Sequence, residues 1–304
     1  MATDGERLAL TAFVAQVVLA GGNAVGIRFS NRELAPMWGA GLRFSLAAAL
    51  LLAIMAAMKL GFPRGQALNG ALLYGLFNVG LSFALIYYGF IHIHAGLGQT
   101  LLAIVPLATL LLAVLWRQER LRLVAAAGTL LALAGVAVMS RSPLHEAVPL
   151  PSLLAVLGGA VCFAQALVLV RRYPHVHPVT MNAVGMTAGA AVLLGASLVL
   201  GEPRTLPERA QTWVALGYLA VIGSVAVFLL LLVVLQYWTA PRASYAFVLI
   251  PMVTVLLSAW LDDEPISSGL LFGGLLILTG VYIGALRPPR MKTGGVGGPS
   301  RPEE

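Results

Sequence analysis

Residues 99–136 read QTLLAIVPLATLLLAVLWRQERLRLVAAAGTLLALAGV, and residues 244–281 read SYAFVLIPMVTVLLSAWLDDEPISSGLLFGGLLILTGV. Laid on each other with every pair 145 positions apart, Pro106 meets Pro251, Thr109 meets Thr254, and Leu111 and Leu112 meet Leu256 and Leu257. Further along, Glu119 meets Glu264, Gly128 meets Gly273, Leu133 meets Leu278, Gly135 meets Gly280 and Val136 meets Val281. Leucine and glycine matches are cheap in such a composition; a proline and a glutamate in fixed spacing to two glycines are not. At the front of each half a second register works, offset by 142, in which Asn23 answers Gln165 and Pro36 answers Pro178. A net three-residue insertion reconciles the registers. A duplication is therefore expected, with one copy in residues 1–145 and the other in 146–287, followed by a Gly/Pro-rich tail, 288–304, that reads as a disordered cytoplasmic end.

The repeated runs are too apolar for a water-soluble protein. Of 304 residues, 59% are hydrophobic and only 10% are charged, and the mean hydropathy is +0.90; soluble domains carry about 25% charged residues. That deficit excludes a soluble enzyme and a disordered scaffold. The formal charge of +7 comes from basic residues scattered singly between apolar runs, whereas nucleic-acid binding needs them clustered. One cysteine, Cys162, rules out a disulfide framework or a cysteine-rich metal site. With about 20 apolar residues needed per crossing, ten spans are predicted: 8–27, 36–58, 67–90, 93–115, 121–139, 149–170, 178–199, 211–236, 243–261 and 267–286. The runs are Leu/Ala-rich and do not alternate, so an all-α fold is expected and a β-barrel is not. The weakest break is 91–95, where only His92 and His94 interrupt the apolar run.

With a cytoplasmic N-terminus, thirteen Lys and Arg fall on the inner side and five on the outer, while Arg43 lies within the second span. That bias places both termini in the cytoplasm. Trp38, Trp116, Trp213 and Trp260 suit an interfacial belt; Trp238 is less settled. Five spans per copy is an odd number, so the second copy must cross in the opposite sense, as in transporters built from inverted repeats.

Pro36 with Arg43, Pro106 with Glu119, Gly128 and Gly135, and the repeated Pro251, Glu264, Gly273 and Gly280 resemble the drug/metabolite transporter superfamily in its ten-helix EamA-type branch, over residues 8–286. Gln118 and Asp263 stand where that branch usually has glycine, and Arg43 is not duplicated, its counterpart being Gly185. The resemblance is strongest to bacterial amino-acid exporters, including those for aromatic amino acids. It implies a multi-pass protein of the bacterial inner membrane that exports small metabolites by alternating access, around a cavity lined by spans one, three, four, six, eight and nine. No cofactor, metal or nucleic acid is implied, and two copies in one chain make a monomer sufficient.

Polar side chains within spans are costly and face protein or a cavity. Tyr74, Asn78 and Ser82, each four apart, are expected on one helix face. Asn23, Gln99, Gln165 and Tyr245 complete the candidate solute-binding set. Each could instead serve as an interhelical hydrogen bond. Pro106 and Pro251 each remove a backbone donor, giving either a flexing, carbonyl-exposing kink or a static one. Arg43 either snorkels to the outer headgroups, attracts a solute carboxylate or locks an outer gate. Glu119 and Glu264 suit helix starts.

All twelve Asp and Glu residues fall outside the predicted spans. Proton-driven carriers commonly use an intramembrane carboxylate, so facilitated diffusion is the simpler expectation. An intramembrane enzyme is disfavoured: neither H-E-x-x-H nor G-x-S-x-G occurs. The alternatives are an organellar nucleotide-sugar or phosphate carrier, disfavoured by a lone Arg43, and a non-transporting membrane adaptor, disfavoured by short loops.

Overall fold

A computed structural model describes residues 4–93, 95–119, 123–139, 149–261 and 268–283. His94, Arg120, Arg122, the connections 140–148 and 262–267 with Glu264, and the tail lie outside the described residues, as does the side chain of Trp260. The helix-start role expected of Glu264 therefore lies outside the described residues, whereas Glu119 is described and its amide returns to the Ala113 carbonyl at the end of the preceding helix.

Among the described residues every regular element is helical, and helix occupies each of the ten predicted stretches. Six helices are long and apolar enough to cross a bilayer: α1 (Asp4–Asn31), α2 (Pro36–Ala57), α3 (Gln66–Gly89), α7 (Leu150–Val170), α8 (Pro178–Val199) and α9 (Ala210–Tyr237). The fourth stretch is divided into α4 (Ala95–Leu102) and α5 (Val105–Leu115), and the ninth into α10 (Ala240–Ser244) and α11 (Ala246–Leu261). Between and after them lie α6 (Leu123–Met139) and α12 (Ser268–Val281). Leu115, Leu123, Val214 and Phe272 are exposed on the outer surface, as an apolar solvent requires.

Local chemistry repeats with the sequence. Helices α2 and α8 are both 22 residues long and both begin on proline, whose missing N–H is no loss in a first turn. Both end in the same cap. Lys59 and Gly201, 142 apart, take left-handed backbone (φ 53° and 64°), and the next amides, Leu60 and Glu202, return to the carbonyls of Met55 and Ser197. Helices α3 and α9 each contain a six-residue π-helical stretch, Leu76–Leu81 and Val221–Ala226, 145 apart. The register change therefore falls between the end of α8 and the π-turn of α9.

The matching prolines behave differently. Pro106 sits in the first turn of α5, after a complete break at Ala103 and Ile104, so the expected kink is an interruption. Pro251 lies inside the continuous α11, and the interruption comes earlier, at Tyr245.

Corresponding helices also pack on each other. In the α6–α12 contact Gly135 lies against Gly273 and Gly280 against Gly128; a Cβ on Gly280 would stand 2.5 Å from the Gly128 carbonyl oxygen. The early part of each helix thus meets the late part of the other. Helices α2 and α8 run past each other in the same antiparallel manner. Gly41 touches Leu194, and the amides of Met37 and Trp38 at the start of α2 reach Glu202, just beyond the end of α8. Helices α3 and α8 run parallel and almost touch, since a Cβ on Gly75 would stand 2.1 Å from the Gly185 carbonyl oxygen.

Candidate functional site

The π-turn of α9 gathers the most unusual chemistry in the molecule. A π-turn widens the helix and commonly marks functional positions. Here it presents the carbonyl of Gly223 and the hydroxyl of Ser224 to α2. Arg43 donates from Nε to Ser224 Oγ at 2.8 Å and from Nη2 to the Gly223 carbonyl at 3.0 Å. Asn23, which begins the second part of α1 after the turn at Gly21 and Gly22, donates from Nδ2 to the same carbonyl at 3.3 Å. Gly223 has no side chain for a reason: a Cβ there would stand 2.1 Å from Asn23 Oδ1 and 3.3 Å from Arg43 Nη2.

Arg43 is 0% exposed, so it does not snorkel to the headgroups. Its guanidinium lies 4.8 Å from the ring centroid of Phe44 and 5.0 Å from that of Phe83, contacts that favour a cation. Among the described residues no carboxylate is within ion-pairing distance of it. An arginine at mid-span costs about 2.5–3.5 kcal/mol even by insertion scales, and among the described residues no opposite charge offsets that. Oδ1 of Asn23 is buried without a hydrogen-bond partner. The buried Tyr87 hydroxyl is a hydrogen-bonding neighbour of the Arg43 guanidinium and feels its charge.

The remaining sequence candidates are distributed among other contacts. Tyr74 donates to Asn182 Oδ1 on α8 at 3.3 Å, whereas Ser82 donates to the Gly159 carbonyl on α7 at 2.9 Å. The expected single polar face of α3 is therefore split, because the π-turn between these residues changes the helical register. Asn78 lies within that turn, buried, with both amide atoms unpartnered. Gln99 is buried in α4. Gln165 accepts from Trp116 Nε1 at 3.2 Å, and the Tyr245 hydroxyl shares a 2.7 Å hydrogen bond with Thr129. A cleft of about 380 Å³, counting space open to solvent, lies apart from the arginine, between Arg171, His175, Met181 and Gln236.

Two latches join the halves beside these spans. The Glu202 carboxylate accepts the amides of Met37 and Trp38 at 3.1 and 2.9 Å, capping α2. Glu33 accepts from the amides of Glu208 and Arg209 and from the Thr212 hydroxyl, capping α9. The Thr212 hydroxyl first, and then the Glu208 amide, hold the Glu33 carboxyl below its ordinary value. Elsewhere Arg242 of α10 pairs with Glu6 of α1 at 2.6 Å and lies 3.9 Å over the buried Trp238 ring. Trp238 is thus a core residue rather than part of an interfacial belt. Gly223, Ser224 and Asn182 are not among the residues the sequence singles out; their only signal there is a Gly–Ser pair within an apolar run.

The EamA-like transporter family matches this chain twice, over residues 7–141 and 150–285. The chain belongs to that family. It is a multi-pass membrane protein, and the family consists of transporters. Among its relatives, "Uncharacterized inner membrane transporter YedA" of Escherichia coli (strain K12) is 27% identical over 288 residues, covering 91% of this chain and 92% of that protein. The "Probable amino-acid metabolite efflux pump" of the same strain is 28% identical over 281 residues, covering 88% and 91%. A solved structure described as "Crystal structure of protein" superposes with a TM-score of 0.76 at 19% identity, covering 91% of this chain and 96% of that one, a likeness of fold.

Proposed function

We propose that this EamA protein is a secondary carrier that exports amino acids or related small metabolites across the bacterial inner membrane by alternating access. In this reading, residues 1–145 and 146–287 are two five-span repeats of opposite orientation, ten spans in all, with both termini cytoplasmic. The observation that carries it is the antiparallel packing of corresponding helices, α2 on α8 and α6 on α12. A two-fold axis lying in the membrane plane relates such pairs. Exchanging the conformations of the two copies then turns a passage open to one side into one open to the other. The kinship with an efflux pump named for amino-acid metabolites supports the solute class.

Facilitated diffusion is the coupling this reading favours, since Glu33, Glu119, Glu202 and Glu208 lie in connections, and Asp4 and Glu6 in the first turn of α1. Uptake of labelled Thr, Met, Phe and Trp into proteoliposomes, with and without an imposed pH gradient, tests it. Saturable uptake that ignores the gradient is expected. Absence of uptake for every solute overturns the carrier reading for amino acids, and strict dependence on the gradient overturns facilitated diffusion.

A further inference from the structure

The cleft between α7, α8 and α9 is lined entirely by residues of the second copy, so it is not part of the contact between the halves. It lies on the side of the molecule that carries the start of α1, because Arg242, just past the end of α9, pairs there with Glu6. Its floor is apolar, with Met181, Leu232 and Leu235 buried, and its rim is polar, with Arg171, His175 and Gln236 exposed. The rim residues stand where α7 ends, where the chain turns into α8 and where α9 ends. In a membrane protein that is the depth of the lipid headgroups.

Arg171 is fixed in place without being neutralised. Its Nη1 donates to the Trp238 carbonyl at 2.6 Å, and among the described residues no carboxylate pairs with it. No Asp or Glu lines the cleft. The first copy does not keep these groups. At the offset of 142, Arg171 answers Phe29 and His175 answers Glu33; at 145, Leu232 and Leu235 answer Tyr87 and Phe90. Both of the latter rings are buried, and Glu33 caps α9. The second copy thus has smaller side chains on the floor and basic groups on the rim, a difference that packing alone does not require.

We propose that this cleft binds the headgroup of an anionic phospholipid. The phosphate accepts hydrogen bonds from the remaining N–H groups of Arg171, from His175 and from the Gln236 amide, and the first carbons of the acyl chains lie on Met181, Leu232 and Leu235. Guanidinium–phosphate contacts are strong charge-assisted pairs, and basic pockets between spans suit lipid headgroups. The polar rim meets an apolar floor at the span ends, which a lipid covers completely and a soluble phosphate does not. Without a carboxylate in the lining, the ammonium of an ethanolamine headgroup finds no partner, so a phosphoglycerol headgroup is preferred.

Native mass spectrometry of the unmodified protein in detergent, titrated with phosphatidylglycerol or phosphatidylethanolamine, tests this. Phosphatidylglycerol is expected to bind about tenfold more tightly, and Arg171→Gln to weaken it by about tenfold, the range for hydrogen bonds to charged groups. Gln236→Glu sets a repelling charge at an exposed rim position and should weaken binding similarly, even if Arg171→Gln fails to fold. Equal affinity for the two lipids overturns the proposal, as does unchanged phosphatidylglycerol binding by folded Gln236→Glu. Inorganic phosphate that displaces phosphatidylglycerol at equal concentration overturns the assignment to a lipid. The measurement involves no transport, so the carrier reading stands or falls separately.

Discussion

Glu202, one residue beyond the turn that ends α8, accepts a hydrogen bond from the backbone amide of Trp38 in the first turn of α2, at 2.9 Å. A carboxylate from the second half thus caps a helix of the first, and Glu33 from the first half caps α9 of the second. A helix start leaves its first amides unsatisfied, so each cap holds the halves together where the chain enters these helices. Replacing Glu202 with Ala should lower stability by about 1 kcal/mol, the usual value of an N-terminal cap. Thermal unfolding in detergent measures it, and an unchanged midpoint would show the latch to be idle.

The companion latch is pH-dependent. Because the Thr212 hydroxyl and the Glu208 amide hold Glu33 below its ordinary value of 4.5, the folded protein keeps this carboxylate ionised when the unfolded chain has begun to protonate it. Its contribution is complete above that value and fades as pH falls through the lowered one. The stability difference between the unmodified protein and Glu33→Gln should therefore be constant near neutral pH and shrink under acid. A difference that grows on acidification would contradict the arrangement.

Gly75 and Gly195 make a matched comparison. A Cβ on Gly75 would stand 2.1 Å from a backbone oxygen of α8, which cannot swing aside. Gly75→Ala should cost about 1–3 kcal/mol or prevent folding. A Cβ on Gly195 meets nothing within 4 Å, so Gly195→Ala should stabilise its helix by up to about 1 kcal/mol. Yield and thermal midpoint of the two variants provide the check.

At Gly223 the obstacle is of another kind. The atoms that an added methyl would meet belong to the ends of Asn23 and Arg43, which can move. Gly223→Ala should fold nearly normally yet slow transport by roughly tenfold, equivalent to about 1.4 kcal/mol, by displacing both side chains. Normal uptake by this variant would remove the π-turn cluster from the transport path.

Asn78 should trade stability against activity. Both of its amide atoms are buried without partners, and each such group costs about 1–3 kcal/mol. Asn78→Leu removes that penalty with a side chain of similar size, so its unfolding midpoint should rise while solute uptake falls. If uptake is unchanged, Asn78 is packing alone.

Composition and spacing were enough to establish the membrane class, the helical stretches and the duplication. Those depend on one-dimensional quantities: run length against bilayer thickness, and a proline and a glutamate recurring at fixed separation. Arg43 was visible as an oddity for the same reason, being a charge inside an apolar run. Its destination was not visible, because a guanidinium with a long stem can reach the headgroups or turn inward, and only the carbonyl of Gly223, 180 residues away, selects the second course. The stripe of Tyr74, Asn78 and Ser82 dissolved because a π-turn, which an apolar sequence does not announce, shifts the register between them. Long-range polar contacts belong to folding in three dimensions, where each buried group takes whichever partner the packed helices bring near.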